Sequence, residues 1–121
     1  MTKTVLVIED HEDNRRIMHD LLTSKGYEVI EAMNGLEGVD AAGAYCPDLI
    51  LLDIQLPGID GYEVARRIKA NPELRKIPII VVTSYALSGD DMKAFEAGCD
   101  AYVAKPFSPR ELLGKIREYL K

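Results

Sequence analysis

Cysteine and long apolar runs are scarce in this sequence, and each scarcity narrows the class of protein. Only two cysteines are present, Cys46 and Cys99, and they form no Cys-x-x-Cys pair. We expect both to be small, half-buried residues. The sequence does not decide whether they form a disulfide. A domain of this size does not need one, so a reducing cytoplasm is favoured. No apolar stretch is long enough to cross a bilayer, and Met1-Thr2-Lys3 leads directly into a strand-length run without a signal peptide.

The charge balance of the chain is acidic. There are 15 Lys and Arg residues against 20 Asp and Glu, which gives a net charge of −5. This balance argues against direct nucleic-acid binding or an anionic membrane surface, since both require clustered basic residues, although a local basic patch is compatible with it. The 121 residues, 47% of them apolar, suit one domain over residues 1–121 with a single core.

Five strand-like apolar runs alternate with helical patterns along the chain. Each run is followed by apolar residues at helical spacing, and the connections are short. This alternation predicts a parallel sheet covered by helices on both faces. The predicted strands are Thr4–Ile8, Glu28–Ala32, Leu49–Leu52, Ile77–Val82 and Ala101–Ala104. The predicted helices follow the polar loop His11–Asn14, cover Leu36–Tyr45 and Gly61–Ala70, and begin at Ser88 and at Ser108.

The third run, Leu49–Leu52, lies between Pro47 and Pro57-Gly58 and is followed by Asp53. Its unbroken apolar character is typical of a strand that is buried on both faces. A carboxylate at the end of such a strand costs free energy unless a charged or hydrogen-bonding group meets it. The carboxyl edge of an open parallel sheet is also where ligands bind. Asp53 is therefore either a strand-end cap or the reactive group of a site.

Polar residues follow other predicted strands as well. Glu9 and Asp10 come after the first strand, Thr83 after the fourth, and Lys105 after the fifth. Because parallel strands end at one edge, three carboxylates would meet there and repel one another, and Mg²⁺ would relieve this repulsion. Lys105 and the Thr83 hydroxyl would supply donors to an incoming anion. The set suits phosphoryl transfer to Asp53 as a nucleophile that forms an aspartyl phosphate.

The motifs resemble those of the receiver domain of bacterial two-component response regulators, over nearly the whole chain from Thr4 to Leu120. They are the pair Glu9-Asp10, the Leu-Leu-Asp53 strand end followed by Pro57-Gly58, Thr83-Ser84, and Tyr102 three residues before Lys105-Pro106. The chain is similar to stand-alone chemotaxis and cell-cycle regulators. The resemblance implies a flavodoxin-like, doubly wound α/β fold: a five-stranded parallel sheet of order 2-1-3-4-5 with five helices. It also implies a cis peptide bond before Pro106.

The resemblance implies a phosphoacceptor and its metal ligands. Asp53 would accept a phosphoryl group from a histidine kinase or a histidine phosphotransfer protein, and Lys105 would pair with that group. The residues that would bind Mg²⁺ are Glu9, Asp10, Asp53 and, through its backbone carbonyl, Gln55. The first acid is Glu9 where Asp is commoner in the family, so its metal contact is expected to run through water.

The resemblance also implies switch residues and residues that tune the lifetime of the phosphate. Thr83 would swing in to bond a phosphoryl oxygen, and Tyr102 would rotate inward behind it. Ser84 matches a position that the family keeps small. Gln55 and Tyr85 occupy variable positions, and the bulk of Tyr85 predicts slow self-dephosphorylation by shielding the site from water.

Two binding surfaces follow from the resemblance. The exposed part of the first helix, around Asn14, Arg15, Met18 and Leu22, would dock the kinase or phosphotransfer protein. Phosphorylation would shift the fourth helix, fifth strand and fifth helix, and so change the binding of an unidentified downstream protein. The chain would be a monomer or a weak, phosphorylation-dependent dimer. We expect no enzyme activity beyond its own phosphorylation and dephosphorylation, and no effector after the last helix, whether the chain stands alone or belongs to a longer one.

Two other classes share parts of this pattern. A haloacid-dehalogenase-like, Mg²⁺-dependent phosphatase also uses a strand-end Asp, but it normally carries a second Asp two residues later, where this chain has Gln55. A flavodoxin-like mononucleotide binder would need a Ser-, Thr- or Gly-rich loop after the first strand, where Glu9 to Asp13 would repel a phosphate. His11 adjoins the acidic pair, so contact with the site is one interpretation, but we favour a solvated loop histidine. His19 is expected at the polar edge of the first helix.

Overall fold

The computed structural model describes residues 2–83 and 96–120, with Thr83 described by its backbone only. The strands are β1 (Thr4–Ile8), β2 (Glu28–Ala32), β3 (Leu49–Asp53), β4 (Ile79–Thr83) and β5 (Ala101–Ala104). The helices of this part of the chain are α1 (Glu12–Ser24), α2 (Gly35–Tyr45), α3 (Gly61–Ala70) and α4 (Pro109–Tyr119). The predicted helix that begins at Ser88 lies outside the described residues.

The five strands form one parallel sheet in the order β2-β1-β3-β4-β5. The predicted fold class is therefore confirmed. β3 lies at the centre, and all five of its residues are buried. This is the burial that its continuous apolar run predicts, because helices cover both faces of a parallel sheet.

Successive residues of each strand point to opposite faces, so the sheet carries one apolar core on each side. The face covered by α2 and α3 is formed by Leu6, Ile8, Ile50, Leu52, Ile79 and Val81. The face covered by α1 and α4 is formed by Val5, Val7, Leu49, Leu51, Ile80 and Val82. No helix in residues 2–83 and 96–120 has the length and apolar character needed to cross a membrane.

One helix and one strand begin at residues other than those predicted. The expected loop His11–Asn14 is wrong beyond its first residue, because α1 begins at Glu12 and the Arg15 N–H already donates to the His11 carbonyl oxygen at 2.9 Å. β4 begins at Ile79 and not at Ile77. The Ile77 N–H donates to the Leu74 carbonyl oxygen at 3.0 Å and closes a turn, and the proline that follows has no N–H to give to a ladder.

The predicted helix start at Ser108 and the cis peptide bond before Pro106 are confirmed. Gly26, after α1, has the positive φ of +89° that favours glycine. The Ser108 side chain accepts a hydrogen bond from the Glu111 N–H at 3.1 Å, so it caps α4 with Pro109 at the first turn. The Lys105–Pro106 peptide bond is cis.

Gly38 in α2 weakens the intrinsic helix propensity but permits close packing on the sheet. A Cβ at this position would lie 2.5 Å from Cδ1 of Ile8, a distance that atoms in contact do not tolerate. The helix thus approaches β1 more closely than any side chain would allow.

The two cysteines do not have the half-buried environments that we expected. Both are free; Cys46 is exposed at the end of α2, and Cys99 is buried before β5. Burial raises the pKa of the Cys99 thiol to about 12. Cys99 is therefore an inert apolar filler at neutral pH.

Candidate functional site

The carboxyl ends of β1, β3 and β5 bring two buried carboxylates and a lysine together. Glu9 is 0% exposed and Asp53 is 5% exposed. The Lys105 Nζ lies 3.2 Å from Oε1 of Glu9 and 3.4 Å from Oδ2 of Asp53. One ammonium group thus lies between two buried carboxylates that are 44 residues apart in the sequence, which is the arrangement that the strand ends predict.

The other oxygen of Asp53 is held by the turn that follows β3. Oδ1 accepts a hydrogen bond from the Gln55 backbone N–H at 3.1 Å, while the Gln55 side chain is exposed. Gly61, at the start of α3, lets the chain pass close to this turn, because a Cβ there would lie 2.6 Å from the Asp53 carbonyl oxygen. The Gly61 N–H donates to the Ile54 carbonyl oxygen at 3.0 Å. Backbone contacts therefore fix the position of the Asp53 carboxylate.

Glu9 is fixed through both its side chain and its backbone. Its Oε2 accepts a hydrogen bond from the His11 N–H at 3.3 Å, and its carbonyl oxygen accepts one from Nη1 of Arg15 at 3.0 Å. Arg15 is anchored in turn by Glu31, whose Oε1 lies 3.2 Å from Nε of Arg15. The first acid of the pair is thus tied to both α1 and β2.

Asp10 carries a buried oxygen that lacks a hydrogen-bond partner within residues 2–83 and 96–120: its Oδ1. Glu9, Asp10, His11 and Asp53 each place one ligand atom within 4.8 Å of the others, so the group could hold a metal ion. An orphaned carboxylate oxygen among further carboxylates is the donor set that a hard divalent cation such as Mg²⁺ prefers. The residues present therefore fit the predicted cation.

The predicted switch and lifetime residues are only partly described. Thr83 ends β4, where the sequence places it, but its side chain lies outside the described part of the chain, as do Ser84 and Tyr85. Tyr102 on β5 is half-buried and packs against the core beneath α2 and α3. Their roles stay predictions.

The predicted docking face needs a correction. Met18 and Leu22 are buried against the sheet, with 2% and 0% of their surfaces exposed, so they offer a partner almost no surface. The exposed apolar residue of α1 is Ile17, which is 58% exposed. The groove beside it has a volume of about 590 Å³ and is lined by Asn14, Ile17, Met18, Leu21, Lys105, Pro106, Phe107 and Pro109. The sequence signal for this was the width of the apolar stripe on α1, which exceeds what one core contact needs.

His11 contacts the acid pair, which is the less favoured of the two interpretations that the sequence left open. Its side chain is 66% exposed, as a solvated loop histidine would be, yet Nδ1 lies 3.3 Å from Oδ1 of Asp10 and 3.5 Å from Oε2 of Glu9. His19 is confirmed at the polar edge of α1, where its Nδ1 lies 3.4 Å from Oε2 of Glu31. Only the adjacency of His11 to the acid pair could have indicated its contact.

The fold and the site together define a doubly wound α/β protein with an acidic cleft, able to hold a cation, at the carboxyl edge of its sheet. The family model of the response regulator receiver domain matches residues 5–117, and the chain belongs to that family. It is thus a receiver domain of two-component signalling, a class of signalling proteins and not of classical enzymes.

Relatives cover nearly the full chain. The polar-differentiation response regulator DivK of Brucella ovis is 45% identical over 120 residues, which are 99% of this chain and 98% of that protein. The receiver domain of the sensor histidine kinase PA1611 of Pseudomonas aeruginosa, with a magnesium ion coordinated in its active-site cleft, is 35% identical with a TM-score of 0.93 and coverages of 99% and 98%. A CheY-like receiver domain protein of Methanospirillum hungatei is 34% identical with a TM-score of 0.90 and coverages of 99% and 94%.

Proposed function

We propose that this receiver domain is a phosphorylation-activated switch in which Asp53 accepts a phosphoryl group from the phosphohistidine of a kinase or phosphotransfer protein. The Asp53 oxygen attacks phosphorus, the bond between phosphorus and the histidine nitrogen breaks, and its electron pair returns to the leaving imidazole. The output is a change in partner binding and not a released product.

One observation carries this proposal: the buried carboxylate of Asp53 lies in a cluster whose negative charges outnumber its positive charges. Within residues 2–83 and 96–120, the three carboxylates of Glu9, Asp10 and Asp53 are accompanied by one ammonium group, that of Lys105, so these four side chains have a formal charge of −2. A structural cluster would be expected to balance its charges, because uncompensated buried charge destabilises the fold. A surplus suits a site that binds a cation and then a phosphoryl group.

Mg²⁺, when bound, would screen the charge of the transferring phosphoryl group. Glu9, Asp10 and Asp53, together with the Gln55 carbonyl, would hold it. The magnesium in the cleft of the Pseudomonas receiver domain supports this assignment. Lys105 is already within 3.4 Å of Asp53, so a small movement would let its ammonium group pair with a phosphoryl oxygen.

The proposed output follows from new negative charge at the carboxyl edge. Thr83 and Lys105 would bond the phosphoryl oxygens, Tyr102 would turn inward, and the surface formed by the segment before β5, β5 and α4 would shift its population between two states. Gln55, Ser84 and Tyr85 would set the lifetime of the phosphorylated state.

The proposed docking surface for the phosphodonor is the groove between α1 and the segment after β5. Ile17 and Phe107 offer apolar contact there, and Asn14 and Lys105 connect the groove to the acid cluster. A helix from the partner that presents its phosphohistidine beside an apolar face would fit these features.

Intact mass spectrometry after incubation with acetyl phosphate and Mg²⁺ tests the proposal. We expect one added phosphoryl group on the wild-type chain, cleaved by hydroxylamine as an acyl phosphate should be. The adduct should be absent from Asp53→Asn and from a Mg²⁺-free reaction. Asp100→Asn is the matched control, because Asp100 is also paired with a lysine but lies away from the site. This variant should gain the phosphoryl group on Asp53 as the wild-type chain does.

An adduct that persists in Asp53→Asn would contradict the assignment of the phosphoacceptor. Absence of any adduct on a folded wild-type chain calls for a beryllofluoride titration, and failure to bind that phosphoryl mimic would refute the proposed site. The dehalogenase-like phosphatase predicts turnover of a phosphomonoester, whereas we expect none, in agreement with Gln55 at the position of the second acid.

A further inference from the structure

We propose that His11 is an additional ligand of the metal site, so that its imidazole adds one nitrogen to a set of oxygen donors. The site would then favour divalent transition metals over Mg²⁺ more strongly than the carboxylates alone would. This inference rests on the metal site proposed above and concerns its selectivity. Three observations on the described residues support it.

The backbone of His11 is fixed between the site and α1. Its N–H donates to Oε2 of Glu9 at 3.3 Å, and its carbonyl oxygen accepts a hydrogen bond from the Arg15 N–H at 2.9 Å. These two hydrogen bonds hold the backbone of His11 beside the acid pair. The position of its Cβ is set by the same contacts that hold Glu9.

The imidazole is directed towards the acids and not away from them. Its Nδ1 approaches both carboxylates of the pair, at 3.3 Å from Asp10 Oδ1 and 3.5 Å from Glu9 Oε2. The Asp10 oxygen is the one that lacks a hydrogen-bond partner in the described part of the chain. Four potential ligand atoms, one of them nitrogen, thus lie within 4.8 Å of one another.

The chemistry of the donors determines the expected preference. Mg²⁺ takes oxygen ligands and keeps several waters, so an imidazole adds little to its affinity. Metals from Co²⁺ to Zn²⁺ bind imidazole well and accept carboxylates beside it. A site of three carboxylates and one imidazole should therefore separate these two classes of cation.

Calorimetric titrations of the full chain with Co²⁺ and, separately, with Mg²⁺ test this inference. We expect His11→Gln to weaken Co²⁺ binding at least about tenfold, the lower end of the loss seen when a group supporting a metal site is removed, and to leave Mg²⁺ binding nearly unchanged. The matched control is His19→Gln, since His19 also lies beside a carboxylate, 3.4 Å from Glu31, but outside the cluster. It should leave both affinities unchanged.

Proton NMR of the Co²⁺-loaded chain gives a second, direct readout. A metal-bound imidazole shows strongly shifted ring signals, which should be present in wild type and His19→Gln and absent in His11→Gln. Circular dichroism verifies that each variant is folded.

Parallel losses of Co²⁺ and Mg²⁺ affinity in His11→Gln, or no shifted imidazole signal, would overturn the inference and leave the metal site itself intact. Failure of the wild-type chain to bind either metal would overturn the inference together with the metal part of the proposed function. Phosphorylation of Asp53 is measured separately, on the wild-type chain, so a failed phosphorylation and a failed histidine ligand give different results.

Discussion

Two lysine–carboxylate clusters at opposite edges of the sheet show how similar residues serve different purposes. At the carboxyl edge, Lys105 contacts Glu9 and Asp53, with Asp10 close by. At the amino edge, the Nζ of Lys69 lies 3.2 Å from Oδ2 of Asp100. The first cluster has an excess of negative charge, whereas the second is a matched pair.

The amino-edge cluster connects α3 to the starts of two strands. Lys69 Nζ also donates to the carbonyl oxygens of Arg75 at 3.0 Å and Ile77 at 2.8 Å. Asp100 Oδ2 accepts a hydrogen bond from the Ile79 N–H at 2.8 Å. Each charge in this cluster has an opposite charge beside it and each of these donors has an acceptor, so we assign the cluster a structural role. The unbalanced cluster is where a cation is expected, because added positive charge relieves the repulsion among its carboxylates. The phosphoryl group would follow once the cation is bound.

Replacing each lysine by methionine should give the largest contrast. Lys69→Met leaves a carboxylate and two carbonyl groups without their donor, so we expect the free energy of unfolding to fall by about 2 kcal/mol, with or without Mg²⁺. Lys105→Met leaves two buried carboxylates unpaired, so we expect its free energy of unfolding to fall in EDTA. Saturating Mg²⁺ should largely restore this free energy, because the ion binds only the folded chain. Urea unfolding followed by circular dichroism measures both. Equal responses of the two variants to Mg²⁺ would refute the contrast.

Replacing one aspartate by asparagine in each cluster should change stability with opposite signs. Asp53→Asn removes repulsion while its Oδ1 can still accept from the Gln55 N–H, so in EDTA we expect a gain of about 1 kcal/mol. Asp100→Asn loses its ion pair with Lys69, and we expect a loss of about 1 kcal/mol after allowance for partial exposure. Thermal unfolding in EDTA compares the two, and a loss of stability in both variants would show that the carboxyl-edge cluster is not overcharged.

The smallest effect is expected at Glu63, an exposed acid that is matched by two arginines on α3. Nε of Arg67 lies 2.9 Å and Nη1 of Arg66 lies 3.1 Å from its carboxylate oxygens. The hydrogen bond from Arg67, with that from Arg66, holds the pKa of Glu63 below its ordinary value of 4.5, against a smaller opposing effect of desolvation. Because the folded-state pKa is the lower one, the contribution to stability is present above the unfolded-state value and is lost as the pH falls through the folded-state value.

Glu63→Gln should therefore lower the melting temperature slightly at neutral pH and low salt. The difference from wild type should vanish in acid, once Glu63 is protonated in both states, and shrink when salt is added. Melting curves from neutral pH into the acid range measure it. A difference that does not vary with pH would assign the effect to packing and not to charge.

The site could be predicted from sequence to the extent that it depends on strand ends. Asp53 directly follows an unbroken apolar run, and Glu9 and Lys105 follow two other runs, so the rule that parallel strands end at one edge was enough to bring them together. α1 begins three residues earlier and β4 two residues later than predicted, because backbone hydrogen bonds at His11 and Ile77 decided these starts. Local patterns do not specify such bonds.

Orientation around the site could not be predicted in the same way. Ile17 and Met18 are adjacent apolar residues of one helix, yet the first is exposed and the second is buried, because the rotation of α1 on the sheet selects which residue meets β1 and β3. The contact of His11 with the acids and the link between Lys69 and Asp100, 31 residues apart, likewise depend on how separate elements pack.

The sequence by itself determined the alternation of strands and helices, the parallel sheet and the acidic group at its carboxyl edge, because hydrophobic periodicity and strand termini are local properties of the chain. Only the tertiary structure decided which charges are balanced, which apolar side chains of α1 are exposed, and that a histidine lies against the acid pair. Those properties depend on distances between residues far apart in the sequence, and packing alone sets such distances.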